Sequence, residues 1–112
     1  VDKIKMKFAM AALRRASYKW PARYNALKAA RVGRNEYVCA KCPEGVTHKK
    51  NDVQIDHISP VMPTSGWDNW DGFIDRMFAD DGEFQVLCKK HHREKSISEN
   101  AVRKSARKKR TK

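Results

Sequence analysis

Two stretches of this chain set metal-ligating side chains at spacings that can close on an ion: Cys39 with Cys42, and, far down the chain, Cys88 with His91. A pair of thiolates in a C-x2-C knuckle grips one tetrahedral ion from a single tight turn, and a second pair at the same spacing supplies the other two ligands. The resulting Cys3His set leaves no open coordination position, so the zinc it takes is structural and ties the middle of the chain to its last helix. His48, in a lysine-rich loop, competes for the fourth place with no spacing to recommend it. The plainer alternative makes the cysteines small buried apolar residues and His91 an exposed helical one; the doubled spacing favours the ion.

His92 follows His91 directly, and helical neighbours point about 100° apart, so the second imidazole is free for different chemistry. Its partners in type are Asp56 and His57, near the end of VQIDHISP. Adjacent side chains on a regular strand face opposite ways, and serving one site asks the strand to fray, bulge or twist there. Pro60 suits such an ending.

The partner is suggested by charge. Over 112 residues, Lys and Arg number 25 against 13 Asp and Glu, a formal net charge of +12. That imbalance is the footprint of a phosphate-bearing partner, nucleic acid first of all. The expected contacts are Arg14, Arg15, Lys19, Arg23, Lys28 and Arg31 in the first third of the chain, and Arg103 and Lys104 towards its end. No apolar run approaches a membrane span and no signal peptide is visible, which predicts a cytoplasmic protein without a membrane partner. Three cysteines in a reducing compartment argue for ligand or core roles rather than a disulfide framework.

The elements that must position these residues form one domain. Residues 1–34 read as a basic arm of two helices, with Ile4, Phe8, Ala11 and Ala12 and then Trp20, Tyr24 and Leu27 as stripes to bury, Pro21 in a first turn and Gly33 as a stop. Residues 36–102 read as a zinc-stapled core: short strands in YVCAKC and VQIDHI, an insertion at about 61–82, the strand FQVLC, and a helix. Within the insertion, Trp70, Phe73, Ile74, Met77 and Phe78 fall at amphipathic helical spacing, and the surrounding aspartates face solvent on the side turned from nucleic acid. Residues 103–112 read as a basic tail, disordered or a frayed helix end.

The order C-x2-C, DHI-P, then QVLC-x2-H-H-x2-KS resembles the HNH endonuclease family, from about Cys39 to Glu99. With the basic helices and the tryptophan-rich insertion, the whole is similar to small HNH proteins of tailed bacteriophages. The resemblance implies an α+β fold with a ββα-metal core, a zinc knuckle, N-terminal basic helices and a helical insertion between the two core strands. It implies His57 as general base, Asp56 and His92 as ligands of a catalytic Mg²⁺, Mn²⁺ or Ni²⁺, and Lys95 as a phosphate contact. Glu83 falls where the family carries an asparagine that orients the base, and His91 where most relatives carry cysteine. The implied function is hydrolysis of double-stranded DNA, by nicking or double-strand cleavage, leaving 5′-phosphate and 3′-hydroxyl ends. The implied setting is a monomer in the bacterial host cytoplasm, in homing or alongside a phage terminase. Two other classes compete: a noncatalytic zinc-stapled nucleic-acid-binding module, and a basic RNA-binding protein.

Overall fold

The computed structural model describes residues 1–110, an α+β arrangement of four helices and two small antiparallel sheets. In chain order the elements are α1 (Lys3–Ser17), α2 (Pro21–Ala30), β1 (Arg31–Gly33), β2 (Glu36–Tyr37), β3 (Val53–His57), α3 (Trp70–Met77), β4 (Phe84–Cys88) and α4 (Lys89–Arg110).

Strands β3 and β4 hold the centre. VQIDH alternates apolar and polar residues, whereas FQVLC is nearly apolar throughout, the pattern of a strand covered on both faces. They pair in unbroken register, Val53 with Cys88 through His57 with Phe84. Helix α2 covers one face: Ala30, Tyr37, Val53 and Val86 form one buried cluster, and Ala22, Ala79 and Phe84 a second. Helix α4 starts at the residue after β4 and runs back across the sheet, contacting both strands. The segment joining β3 to β4 carries α3, capped by Asn69, whose side chain accepts from Gly72 N–H at 2.7 Å.

Several sequence expectations change here. Helix α2 ends at Ala30, before Gly33, because the chain turns into the β1–β2 hairpin through Asn35 at φ 54°, a left-handed conformation that asparagine tolerates. The Asn35 carboxamide oxygen then accepts from Lys50 N–H at 2.9 Å. Strand structure in YVCAKC is limited to Tyr37, and Cys39–Cys42 is a turn closed by Cys42 N–H on Cys39 O at 3.2 Å. On α1 the expected stripe is displaced: Ile4 and Phe8 stay 70% and 76% exposed, while Met6, Met10, Leu13 and Ser17 turn inward. The two apolar rows lie close together on one helix, and tertiary contact with α3 selects the second. The basic tail is helical through Arg110, because α4 simply continues; Thr111 and Lys112 lie outside the described residues.

Side-chain hydrogen bonds help fasten the basic arm to the core. Trp20 Nε1–H donates to Ala79 O at 2.6 Å, and Asn25 donates to Asp81 at 3.2 Å. The loop that leaves β3 is held from two sides, Arg76 Nε–H donating to Val61 O at 2.8 Å and Arg103 donating to Met62 O at 2.8 Å. Among the described residues no helix is long and apolar enough to cross a membrane.

Leu87 is 0% exposed, so Leu87→Ala is expected to cost about 2–5 kcal/mol in denaturant unfolding. Phe8→Ser, at 76% exposure, is expected to stay within about 0.5 kcal/mol of the parent. A large loss from Phe8→Ser would place α1 differently from the arrangement described above.

Candidate functional site

Cys88 ends β4 and His91 lies in the first turn of α4, so strand and helix together aim both side chains at the Cys39–Cys42 turn. The turn is held to the same strand by Ala40 N–H on Val86 O at 2.9 Å. The ligand atoms of Cys39, Cys42, Cys88 and His91 all lie within 4.8 Å of one another. Bonds of about 2.3 Å to sulfur and about 2.0 Å to nitrogen make tetrahedron edges of about 3.8 Å between sulfurs and about 3.5 Å from sulfur to nitrogen. The observed separations are 3.8 Å for Cys42–Cys88, and 3.6, 3.5 and 3.2 Å from His91 Nδ1 to Cys39, Cys42 and Cys88. A four-coordinate ion such as zinc fits that cluster.

The thiols themselves call for a cation. Burial pushes Cys39 up, yet hydrogen bonds from the Cys88 and Lys41 backbone and from the two neighbouring thiols bring it down to about 6. Cys42 is pushed up to about 12, first by burial and then by sharing space with Cys39 and Cys88. A thiolate at Cys39 therefore forms at the expense of Cys42, and a dication would remove the conflict. His48, the competing ligand, is pinned by mutual backbone hydrogen bonds of 2.8 Å with Tyr37. Its Nε2 lies 3.3 Å from Cys42 Sγ, where an N–H can donate to the thiolate and draw off charge.

One residue further along, His92 turns to the other side of the turn. Its Nε2 lies 3.9 Å from Asp56 Oδ1. Two bonds of about 2.1 Å reach up to about 4.2 Å, so a single hard cation can join this imidazole to this carboxylate. Asp56 is only 9% exposed, and its charge is supported by Gln85 Nε2–H at 2.9 Å, from the residue directly opposite on β4. Lys95 completes the surround, with Nζ 3.3 Å from Asp56 Oδ2 and donating to His57 O at 3.0 Å and to Glu99 at 2.7 Å.

His57 lines the same cleft of about 360 Å³ as Asp56, His92 and Lys95. No fray or bulge brings this about: pairing is regular through His57 and continues beyond it, Ile58 N–H donating to Glu83 O at 3.0 Å. The sheet has two strands only, so the outer edge of β3 is open. Consecutive residues of β3, Asp56 and His57 among them, line one cleft there, between the end of α1 and start of α2 on one side and α4 on the other. A carbonyl can only accept, so the 3.1 Å contact with Met77 O puts the proton on His57 Nε2 and leaves Nδ1 with a lone pair. Burial holds this imidazole below its ordinary value; the Met77 carbonyl and Asp56 oppose the shift, while Arg23 and Lys95 reinforce it.

Glu83 does not take the role the resemblance gave it. Its side chain is exposed, and the group that fixes the His57 tautomer is the Met77 carbonyl, delivered by the end of α3. Lys95 is likewise no free phosphate contact, since its three donors point at Asp56, His57 O and Glu99. Of the other expected cationic contacts, Arg14, Arg23 and Arg103 line the cleft, whereas Arg15, Lys19, Lys28, Arg31 and Lys104 are exposed outside it. Lys28 stands 4.9 Å over the Tyr24 ring, and Arg31 Nε–H donates to Gly33 O. Sequence reasoning missed Gln85, Glu99 and the Met77 carbonyl. The Lys95–Glu99 spacing of one helical turn was a usable signal for the second, but nothing in the sequence marks a particular backbone oxygen.

The protein as purified is expected to carry one zinc per chain by elemental analysis. Cys88→Ser should remove it and lower the melting temperature, as should chelation, whereas His48→Ala should retain it. Retention of full zinc by Cys88→Ser would rule out the four-ligand site.

Compared with protein-family models, with curated proteins and with solved structures, the chain matches none, so its chemistry has to be read from its own side chains.

Proposed function

We propose that this chain is a metal-dependent DNA endonuclease of the HNH type, in which β3, β4 and α4 serve as a ββα-metal core. The observation that carries the reading is the 3.9 Å approach of His92 to the buried Asp56, beside a histidine whose Nδ1 is left unprotonated. A carboxylate oxygen and an imidazole nitrogen suit Mg²⁺, Mn²⁺ or Ni²⁺. When bound, such an ion supplies Lewis-acid polarisation of the phosphate and stabilises charge on the departing 3′ oxygen.

The chain's own groups do the rest. His57 Nδ1 accepts a proton from water as the water oxygen attacks phosphorus and the P–O3′ bond breaks; the departing 3′ oxygen takes a proton from solvent, leaving a 5′-phosphate and a 3′-hydroxyl. Its depressed proton affinity keeps it in the base form at neutral pH. Gln85 holds the Asp56 carboxylate in place by donating to Oδ2. Arg14, Arg23 and Arg103, around the same cleft, meet the phosphates that flank the scissile one. The exposed cations of α1, α2 and α4 add sequence-independent affinity for double-stranded DNA.

A second reading keeps the zinc cluster and the charge but drops the catalysis, making the chain a zinc-stapled nucleic-acid-binding module. It draws support from Lys95, whose ammonium already neutralises Asp56, and from the exposed Glu83.

Supercoiled plasmid incubated with the protein and Mn²⁺ or Mg²⁺ separates the two. Nicking is expected, and His57→Ala should slow it at least about a hundredfold while DNA binding persists. Retarded but intact plasmid with the parent protein would leave only the binding module. In either case affinity for a short duplex should fall steeply with salt, log K declining linearly with log salt concentration.

A further inference from the structure

We infer that Lys95 is a built-in competitor for the cation position, holding Asp56 until a divalent ion displaces its ammonium towards Glu99. The inference rests on the Asp56/His92 cation site proposed above and deepens it.

The geometry of the ammonium is the starting point. Lys95 Nζ lies 3.3 Å from Asp56 Oδ2 and 3.5 Å from Oδ1, so it straddles the carboxylate. His57 O accepts from it at 3.0 Å and Glu99 Oε2 at 2.7 Å, which uses all three of its N–H donors. Lys95 and Glu99 are each only 21% exposed at the side chain, and Asp56 10%, so water screens these charges weakly. A dication bound to Asp56 Oδ1 and His92 Nε2 would sit within a few ångströms of Nζ, and the two positive charges repel. One of them must leave the carboxylate.

Glu99 offers the ammonium somewhere to go. It is one helical turn beyond Lys95 and already makes the shortest contact, so a small rotation of the lysine towards Glu99 keeps its charge paired while vacating Asp56. Removing Glu99 leaves Asp56 as the one carboxylate the ammonium contacts, beside the His57 carbonyl, and also takes away a negative charge from the neighbourhood of the ion. Both effects weaken the cation. Arg23 lines the same cleft but has no contact with the carboxylate closer than those of Lys95, which makes it the control for a general loss of positive charge.

The test is Mn²⁺ binding to the full-length protein, followed by loss of the free-ion electron paramagnetic resonance signal, with circular dichroism melts to establish that each variant is folded. The parent should bind one Mn²⁺ that Asp56→Asn abolishes. Lys95→Met and Lys95→Gln should each tighten binding by about tenfold or more, Lys95→Arg should stay within about threefold of the parent, and Glu99→Gln should weaken it about tenfold. Arg23→Met should tighten it by clearly less than Lys95→Met. Unchanged or weaker binding in folded Lys95→Met or Lys95→Gln, or an equal gain from Arg23→Met, would overturn the competition and leave the cation site standing. Absence of any Mn²⁺ binding that depends on Asp56 would overturn the site and the competition together.

Discussion

Everything in this fold that could do chemistry depends on how α4 leaves β4. Cys88 is the last residue of the strand and Lys89 the first of the helix, so no linker is available to absorb an error in direction. The cluster of Cys39, Cys42, Cys88 and His91 closes over that junction and fixes the first turn of the helix to a knuckle contributed by a different part of the chain. In a chain of 112 residues the apolar core is modest, and a metal ion held by that cluster would contribute order that burial alone would not secure. Once the first turn is fixed, His92, Lys95, Glu99 and Arg103 follow along one side of the helix and fall over β3 and the loop beyond it.

Electrostatics then concentrates the contrast. The protein carries a formal charge of +12, yet the cleft between the α1–α2 corner and α4 contains two carboxylates, Asp56 and Glu99, among its cations. A buried carboxylate is tolerated only with close partners, and Asp56 has Gln85, Lys95 and His92 around it. Outside the cleft, the 2.7 Å pair of Asp68 with Arg76 helps hold the scaffold and keeps the Asp68 carboxyl below its usual range. On the proposed reading, an anionic centre framed by guanidinium groups would let a polyanion be gripped through its flanking phosphates while one of them meets a cation.

Much of this was legible in the residues, and the unread part has physical causes. The cysteine and histidine spacings pointed to the four members of the cluster, because ligand spacing in a turn and in a helix is a local property. The strands VQIDH and FQVLC and the helix at Trp70 also followed from local pattern, whereas the joining of the two strands in one core was implied by the family resemblance alone. The inward row of α1 did not, since Ile4 and Phe8 are as apolar as Met6 and Met10, and only the position of α3 decides between the rows. The convergence of Asp56 and His57 was expected from a distorted strand. It arises instead from a missing third strand, a feature of topology that no single stretch of sequence carries. Met77 O at His57 is further out of reach, because every residue has a carbonyl and only the assembled end of α3 says which one is used.

On the proposed reading two kinds of ion would lie at adjacent residues of one helix, and the donor atoms would supply the discrimination between them. Three thiolates and an imidazole favour a soft or borderline ion and leave it no exchangeable position, whereas a carboxylate with an imidazole favours a harder ion and leaves most of its shell to water and substrate. His91 and His92 could exchange duties only if the helix rotated by about 100°, and the knuckle forbids that rotation. An ion held by the four-residue cluster would thus protect the identity of the site proposed next to it: with that cluster closed, the only imidazole that α4 could offer Asp56 is His92. On the proposed reading, loss of the clamp would therefore abolish cleavage even where both Asp56 and His92 remain, because the carboxylate would keep its lysine and lose its histidine.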